Sequence, residues 1–136
     1  MQSALVDSGP LIALFDRDDR YHAPVKSYLS NVRLKLVTTW PVLTETCALL
    51  PQASANDFIE YVCRGGLRVA TLEQDDLSTI LALRRKYANV PMDFADASLV
   101  VIALRDGQDR IVSIDSDFEI YRLAGKKRFR NLLPIR

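Results

Sequence analysis

The sequence predicts an α/β fold of three layers, α/β/α, around a central parallel sheet of five strands. Two observations carry that expectation. Short apolar runs alternate along the chain with longer amphipathic ones, the pattern of successive β-α-β units. The chain has 136 residues with no internal repeat, low-complexity tract or Pro/Gly/Ser-rich linker, enough to bury one core and not two. Residues 1–136 therefore read as a single domain.

Strands are expected at residues 4–6, 36–38, 68–71, 110–114 and 131–133. Helices fill the intervals, at 11–15, 23–32, 41–50, 55–63, 74–87 and 94–105. Pro41 suits a first helical position, with Thr38 or Thr39 ahead of it as cap. Gly65 and Gly66 form a turn before the third strand, and Gly107 stops the last helix.

Composition narrows the function classes. Apolar residues make up 49% and charged residues 26%, which is globular rather than disordered. A net charge of +1 gives no overall field toward nucleic acid, but residues 121–136 hold six basic side chains and no acid. Four of these, Lys126, Lys127, Arg128 and Arg130, are candidates for phosphate contact, with plain solubility as the alternative. The acids are lopsided too, 13 Asp against 4 Glu, although Glu is the better helix former. Cys47 and Cys63 have neither metal-ligand spacing nor a disulfide framework. The N-terminus lacks the features of a signal peptide, and the longest apolar run, residues 99–104, is too short to span a membrane. The expectation is a cytoplasmic protein with no membrane partner.

Open parallel sheets bind ligands outside the carboxyl ends of their strands. Asp7 directly follows the first expected strand and Asp115 the fourth. Glu45 shares a helical stripe with Val42 and Leu49; there it either needs a partner or a cation, or sits at the stripe's margin and reaches solvent. Spacing does not decide between these. Asp93 is a natural N-cap and Asp96 stands three residues later, as in a capping box. Capping alone accounts for Asp93, whereas Asp96 lies on a helix apolar nearly all round, hence buried. Asp117 suits the start of a short helical turn. Carboxylates about 4 Å apart repel by roughly 4 kcal/mol at an effective dielectric near 20. A hard divalent cation such as Mg²⁺ or Mn²⁺ resolves the conflict and brings phosphodiester chemistry with it.

Four segments carry a family resemblance. Leu5-Val6-Asp7-Ser8-Gly9-Pro10, Val42-Leu43-Thr44-Glu45-Thr46, Met92-Asp93-Phe94-Ala95-Asp96-Ala97 and Val112-Ser113-Ile114-Asp115-Ser116-Asp117 resemble the successive motifs of the PIN domain, in family order along essentially the whole chain. Many bacterial members are VapC-type toxins of toxin–antitoxin pairs. The resemblance implies an Mg²⁺- or Mn²⁺-dependent endoribonuclease with catalytic Asp7, Glu45, Asp96 and Asp115, of which Asp7, Asp96 and Asp115 are metal ligands. It gives accessory places to Asp93, Asp117, Ser8 and Ser113, and implies an RNA substrate, an antitoxin partner and a homodimer.

Two readings compete with the enzyme. A phosphoacceptor receiver also clusters acids at a sheet edge, but it needs an Asp after its third strand, where this chain reads Ala70-Thr71-Leu72-Glu73. The other is a PIN fold used as a non-catalytic RNA-binding or regulatory module. His22 reads as a loop or cap residue, Trp40 as packing rather than a base-stacking platform, and Arg84-Arg85-Lys86 as a solvated helix end.

Overall fold

The computed structural model describes residues 1–135; Arg136, one of the six terminal basic residues, lies outside the described residues. Five strands, β1 (Gln2–Val6), β2 (Leu34–Thr39), β3 (Arg68–Ala70), β4 (Arg110–Val112) and β5 (Arg130–Asn131), form one sheet in the order β3-β2-β1-β4-β5. Every pairing is parallel. Helices α1 (Ser8–Phe15) and α2 (His22–Ser30) link β1 to β2, and α3 (Trp40–Leu49) and α4 (Gln52–Cys63) link β2 to β3. The return from β3 to β4 runs through α5 (Asp76–Lys86) and α6 (Phe94–Asp106). Since parallel crossovers are right-handed, opposite directions of travel put α1–α4 on one face and α5–α6 on the other. The expected three-layer α/β/α fold is what forms.

The reversal of direction has a consequence for function. The chain moves outward from β1 to β3 and then returns to β4, on the other side of β1. The crevice between the carboxyl ends of β1 and β4 is therefore the topological switch point, where such sheets bind ligands.

Helix α6 is the spine of the core: residues 95–103 are all buried. Gly107 ends it at φ 63°, the left-handed conformation that a residue without Cβ adopts freely. Thr39 caps α3, accepting from the Val42 amide, with Pro41 in the first turn. His22 opens α2 and its Nδ1 lies 2.7 Å from the Ala13 carbonyl oxygen, tying α2 to α1. The basic residues Arg84, Arg85 and Lys86 do end α5. No helix among the described residues is long and apolar enough to cross a membrane.

Three expectations need correction. β4 stops at Val112 rather than residue 114, because a side chain takes over the ladder. The Asn131 amide nitrogen donates to the Ser113 carbonyl at 2.8 Å, and its oxygen accepts from the Ser113 amide at 3.3 Å. β5 accordingly ends at Asn131. Trp40 is not packed: it is 56% exposed, at the first residue of α3. Leu49 is exposed as well, so α3 turns Val42 and Thr46 to the core and leaves Glu45 half-buried at the margin.

Candidate metal centre

Asp7 ends β1 by capping α1, its Oδ1 accepting from the Ser8 amide at 2.8 Å. Its own amide donates to the Val112 carbonyl of β4, which holds it at the switch point. Asp115 follows β4 after two residues and caps a short 3-10 turn, accepting from the Asp117 amide at 2.9 Å. Ser113 joins the two. Its hydroxyl donates to Asp7 Oδ2 at 3.3 Å and accepts from the Asp115 amide at 3.0 Å. Asp96 arrives from the other direction, in the first turn of α6, with its amide donating to the Asp93 carboxylate at 2.7 Å. The Asp96 carboxylate accepts from the Tyr121 hydroxyl at 3.2 Å instead of closing a capping box.

One oxygen from each of Asp7, Asp96 and Asp115 lies within 4.8 Å of the other two. Asp7 and Asp96 are buried, at 5% and 7% exposure. Among the described residues, the ion pairs lie elsewhere, and none of these carboxylates has a lysine or arginine partner. Burial lifts Asp7 to about 7, with the negative charges of Asp115 and Glu45 adding to the rise. Burial likewise lifts Asp96 to about 8, helped by the charge of Asp7.

Glu45 stands beside the triplet. Burial and the charge of Asp93 raise its pKa, while a hydrogen bond with the Ser8 side chain opposes the rise. Asp117 is pushed up by burial and by Asp115. The structure thus brings together Asp7, Asp96 and Asp115, with Glu45, Asp93, Asp117, Ser8 and Ser113 around them.

The four basic candidates of the tail are elsewhere. Lys126, Lys127 and Arg128 precede Arg130, which pairs with Arg110 at the start of β4, so they approach the sheet from the end opposite the acids. Lys127 is engaged by Asp109 at 3.1 Å. Tyr121 went unseen in the sequence. It sits in an irregular segment with no periodicity to read, and only Phe118 three residues earlier hints at a buried turn.

The donor set is all hard oxygen, as Mg²⁺ and Mn²⁺ prefer. Ligand oxygens on an octahedral Mg²⁺ at 2.0–2.1 Å lie about 3 to 4 Å apart, and the three oxygens here already gather within 4.8 Å of one another. Buried carboxylates facing one another without a counter-charge complete the fit.

Fold and site together define an α/β/α domain with a carboxylate cluster at the sheet's switch point. The sequence matches the PIN domain family over residues 4–125, and the chain belongs to that family. Three solved structures share the fold. Mycobacterium tuberculosis VapC20, described as a sarcin-ricin loop cleaving toxin, superposes with TM-score 0.79 at 20% identity, over 86% of this chain and 93% of that one. A toxin–antitoxin complex from Klebsiella pneumoniae gives 0.61 at 19% identity, over 90% and 91%. VapBC2 from Rickettsia felis, bound to a promoter DNA fragment, gives 0.59 at 9%, over 96% and 98%. These likenesses establish the fold. A comparison with curated protein sequences gives no significant match.

Proposed function

We propose that this chain is a divalent-metal-dependent endoribonuclease, the toxin of a toxin–antitoxin pair, in which residues 1–136 act as one nuclease domain. The observation that carries the reading is the triplet of Asp7, Asp96 and Asp115, drawn from three segments to within 4.8 Å with no basic partner among the described residues. Family membership supports nuclease chemistry, and the description of VapC20 supports RNA as the substrate.

Asp7, Asp96 and Asp115 would hold Mg²⁺ or Mn²⁺. A bound cation supplies Lewis-acid charge at the phosphodiester and makes a water more acidic. Glu45, half-buried and biased toward proton uptake, takes the proton of the attacking water. Ser113 orients Asp7, and Ser8 does the same for Glu45. Asp93 fixes the start of α6, and with it the position of Asp96. Asp117 stabilises the Asp115 turn through its amide.

The Klebsiella and Rickettsia neighbours are toxin–antitoxin assemblies, which supports an antitoxin partner. Exposed Leu77 and Leu81, one turn apart on α5, support a homodimer. A cytoplasmic location belongs to the same proposal, because RNA and antitoxin are met there.

The test is cleavage of structured RNA by the purified protein. Cleavage is expected in Mn²⁺ and not in chelator. Asp7→Asn should lower the rate by at least ~10²-fold with the fold intact, more than the loss of a partner that only orients a ligand. Wild-type turnover in the metal-saturated variant would end the reading.

A further inference from the structure

Two aromatic rings stand exposed at the mouth of the acidic site. Trp40 and Phe94 each occupy the first residue of a helix, α3 and α6, and are 56% and 43% exposed. Both helix starts are rigid. Thr39 and Asp93 cap them, and a 2.6 Å hydrogen bond between the Thr39 and Ser98 hydroxyls ties one to the other. Between the rings runs an open groove of about 540 Å³, with Pro41 and Ala48 in its apolar lining. Its charged lining is Glu45 and Asp93, the carboxylates whose charges act on the neighbouring cluster. The two rings and the apolar lining between them form one patch rimmed by polar groups, the arrangement that marks binding grooves, rather than singly scattered apolar residues.

Resting on the ribonuclease reading, we infer that this groove seats a nucleobase of single-stranded RNA next to the scissile phosphate, with a preference for bases that carry an exocyclic amino group. The lining chooses the occupant. Two carboxylates repel a phosphate and offer only acceptors, so the part of a nucleotide that fits is its uncharged, flat base. Aromatic rings supply stacking faces that suit every base. Adenine, cytosine and guanine carry amino donors, at C6, C4 and C2 respectively, that Glu45 and Asp93 can accept from, whereas both exocyclic groups of uracil are carbonyls. Proximity sets the register: a phosphodiester at the Asp7–Asp96–Asp115 cluster leaves its flanking nucleoside within reach of Glu45.

Trp40 is the chain's only tryptophan, so its fluorescence reports this groove alone. In chelator, short single-stranded oligoadenylate should quench it, oligouridylate should quench it less, and a ribose-phosphate strand without bases should leave it unchanged. In Mn²⁺, Trp40→Ala should raise KM on an adenine-rich single strand by roughly 5- to 150-fold, the range of one lost stacking contact, with kcat little altered. Trp40→Phe, which keeps a ring, should restore most of the affinity. Wild-type KM in Trp40→Ala overturns the inference, as does equal quenching by the strand without bases. A spectral shift that follows protein concentration alone would assign the groove to a second copy. Quenching by an arginine-bearing peptide and by no RNA would assign it to a protein partner. Either result also overturns the inference. Metal-dependent, Asp7-sensitive cleavage that is indifferent to Trp40 would remove this inference and leave the ribonuclease; absence of any cleavage would remove both.

Discussion

Asp109 and Asp115 bracket the three-residue strand β4, and their surroundings are opposite. Asp109 is paired with Lys127, whose hydrogen bond and charge hold its pKa below the usual aspartate range. Asp76 is lowered in the same way by Arg105. At the far end of the strand, Asp115 faces Asp7 and Asp96, which burial has raised to about 7 and about 8. The chain stabilises the charge of Asp109 at one end of the strand and, at the other, gathers Asp7 and Asp96 where burial disfavours theirs. Asp76 and Asp109 are each given a cation by the chain, whereas among the described residues this cluster has none. A cation from outside is what its geometry admits.

The largest test of that contrast is pH. Asp7 and Asp96 titrate in the folded state well above the ordinary 3.8. Between about pH 4 and 8 the folded protein therefore binds more protons than the unfolded chain, and its stability falls as pH rises. Thermal melts in chelator should show a loss on the order of a few kcal/mol from pH 5 to pH 8, allowing for coupling within the cluster. Asp109 has the reverse sign. Its contribution is present above the unfolded value and is lost only as pH falls through its lowered folded one, so it leaves this window flat. A melt that does not change from pH 5 to 8 would erase the difference between the two ends.

Tyr121 offers a sharper probe of one proposed ligand, Asp96. Tyr121→Phe removes the donor to Asp96 Oδ2, and Mn²⁺ affinity, followed by metal-dependent thermal shift, should weaken about tenfold. Equal destabilisation with and without Mn²⁺, at unchanged affinity, would reduce Tyr121 to core packing against Tyr87 and Phe118.

Paired substitutions at the two ends come next in size. In chelator at pH 8, Asp7→Asn should raise stability by on the order of 1 kcal/mol through relief of repulsion and desolvation. Asp109→Asn, losing a partly exposed ion pair, should lower it by a few tenths of a kcal/mol. Denaturant midpoints that move in the same direction for both variants would refute the contrast.

The smallest effect concerns the basic tail. If Lys126 and Arg128 reach flanking RNA phosphates, neutralising both should reduce the salt dependence of binding by about 0.7 in slope per contact. Lys127, already held by Asp109, should contribute less. An unchanged slope returns all of these residues to solubility.

Much of the fold and of the acids' convergence was legible in sequence, because these carboxylates sit where local signals are strongest. Asp7 and Asp96 follow from a strand end and a helix cap, features encoded within a few residues. The alternation of apolar runs set the layers and the strand count. What local pattern could not encode was long-range. Tyr121 reaches Asp96 across 25 residues of chain, and Lys127 finds Asp109 only once β5 lies beside β4. Trp40 looked like core because large apolar residues usually are; its exposure depends on where α3 begins relative to α6. The end of β4 was misplaced because an asparagine side chain imitates a strand.

That imitation bears on where the domain can be cut. The family match ends at residue 125, and every acid of the cluster lies before that point. Asn131 does not, yet it grips both backbone groups of Ser113, whose hydroxyl sets Asp7 against Asp115. A protein trimmed to the matched region would carry every acid of the cluster on a loop that had lost its clamp. The family match stops before Asn131, but the hydrogen bonds that set the cluster run past it.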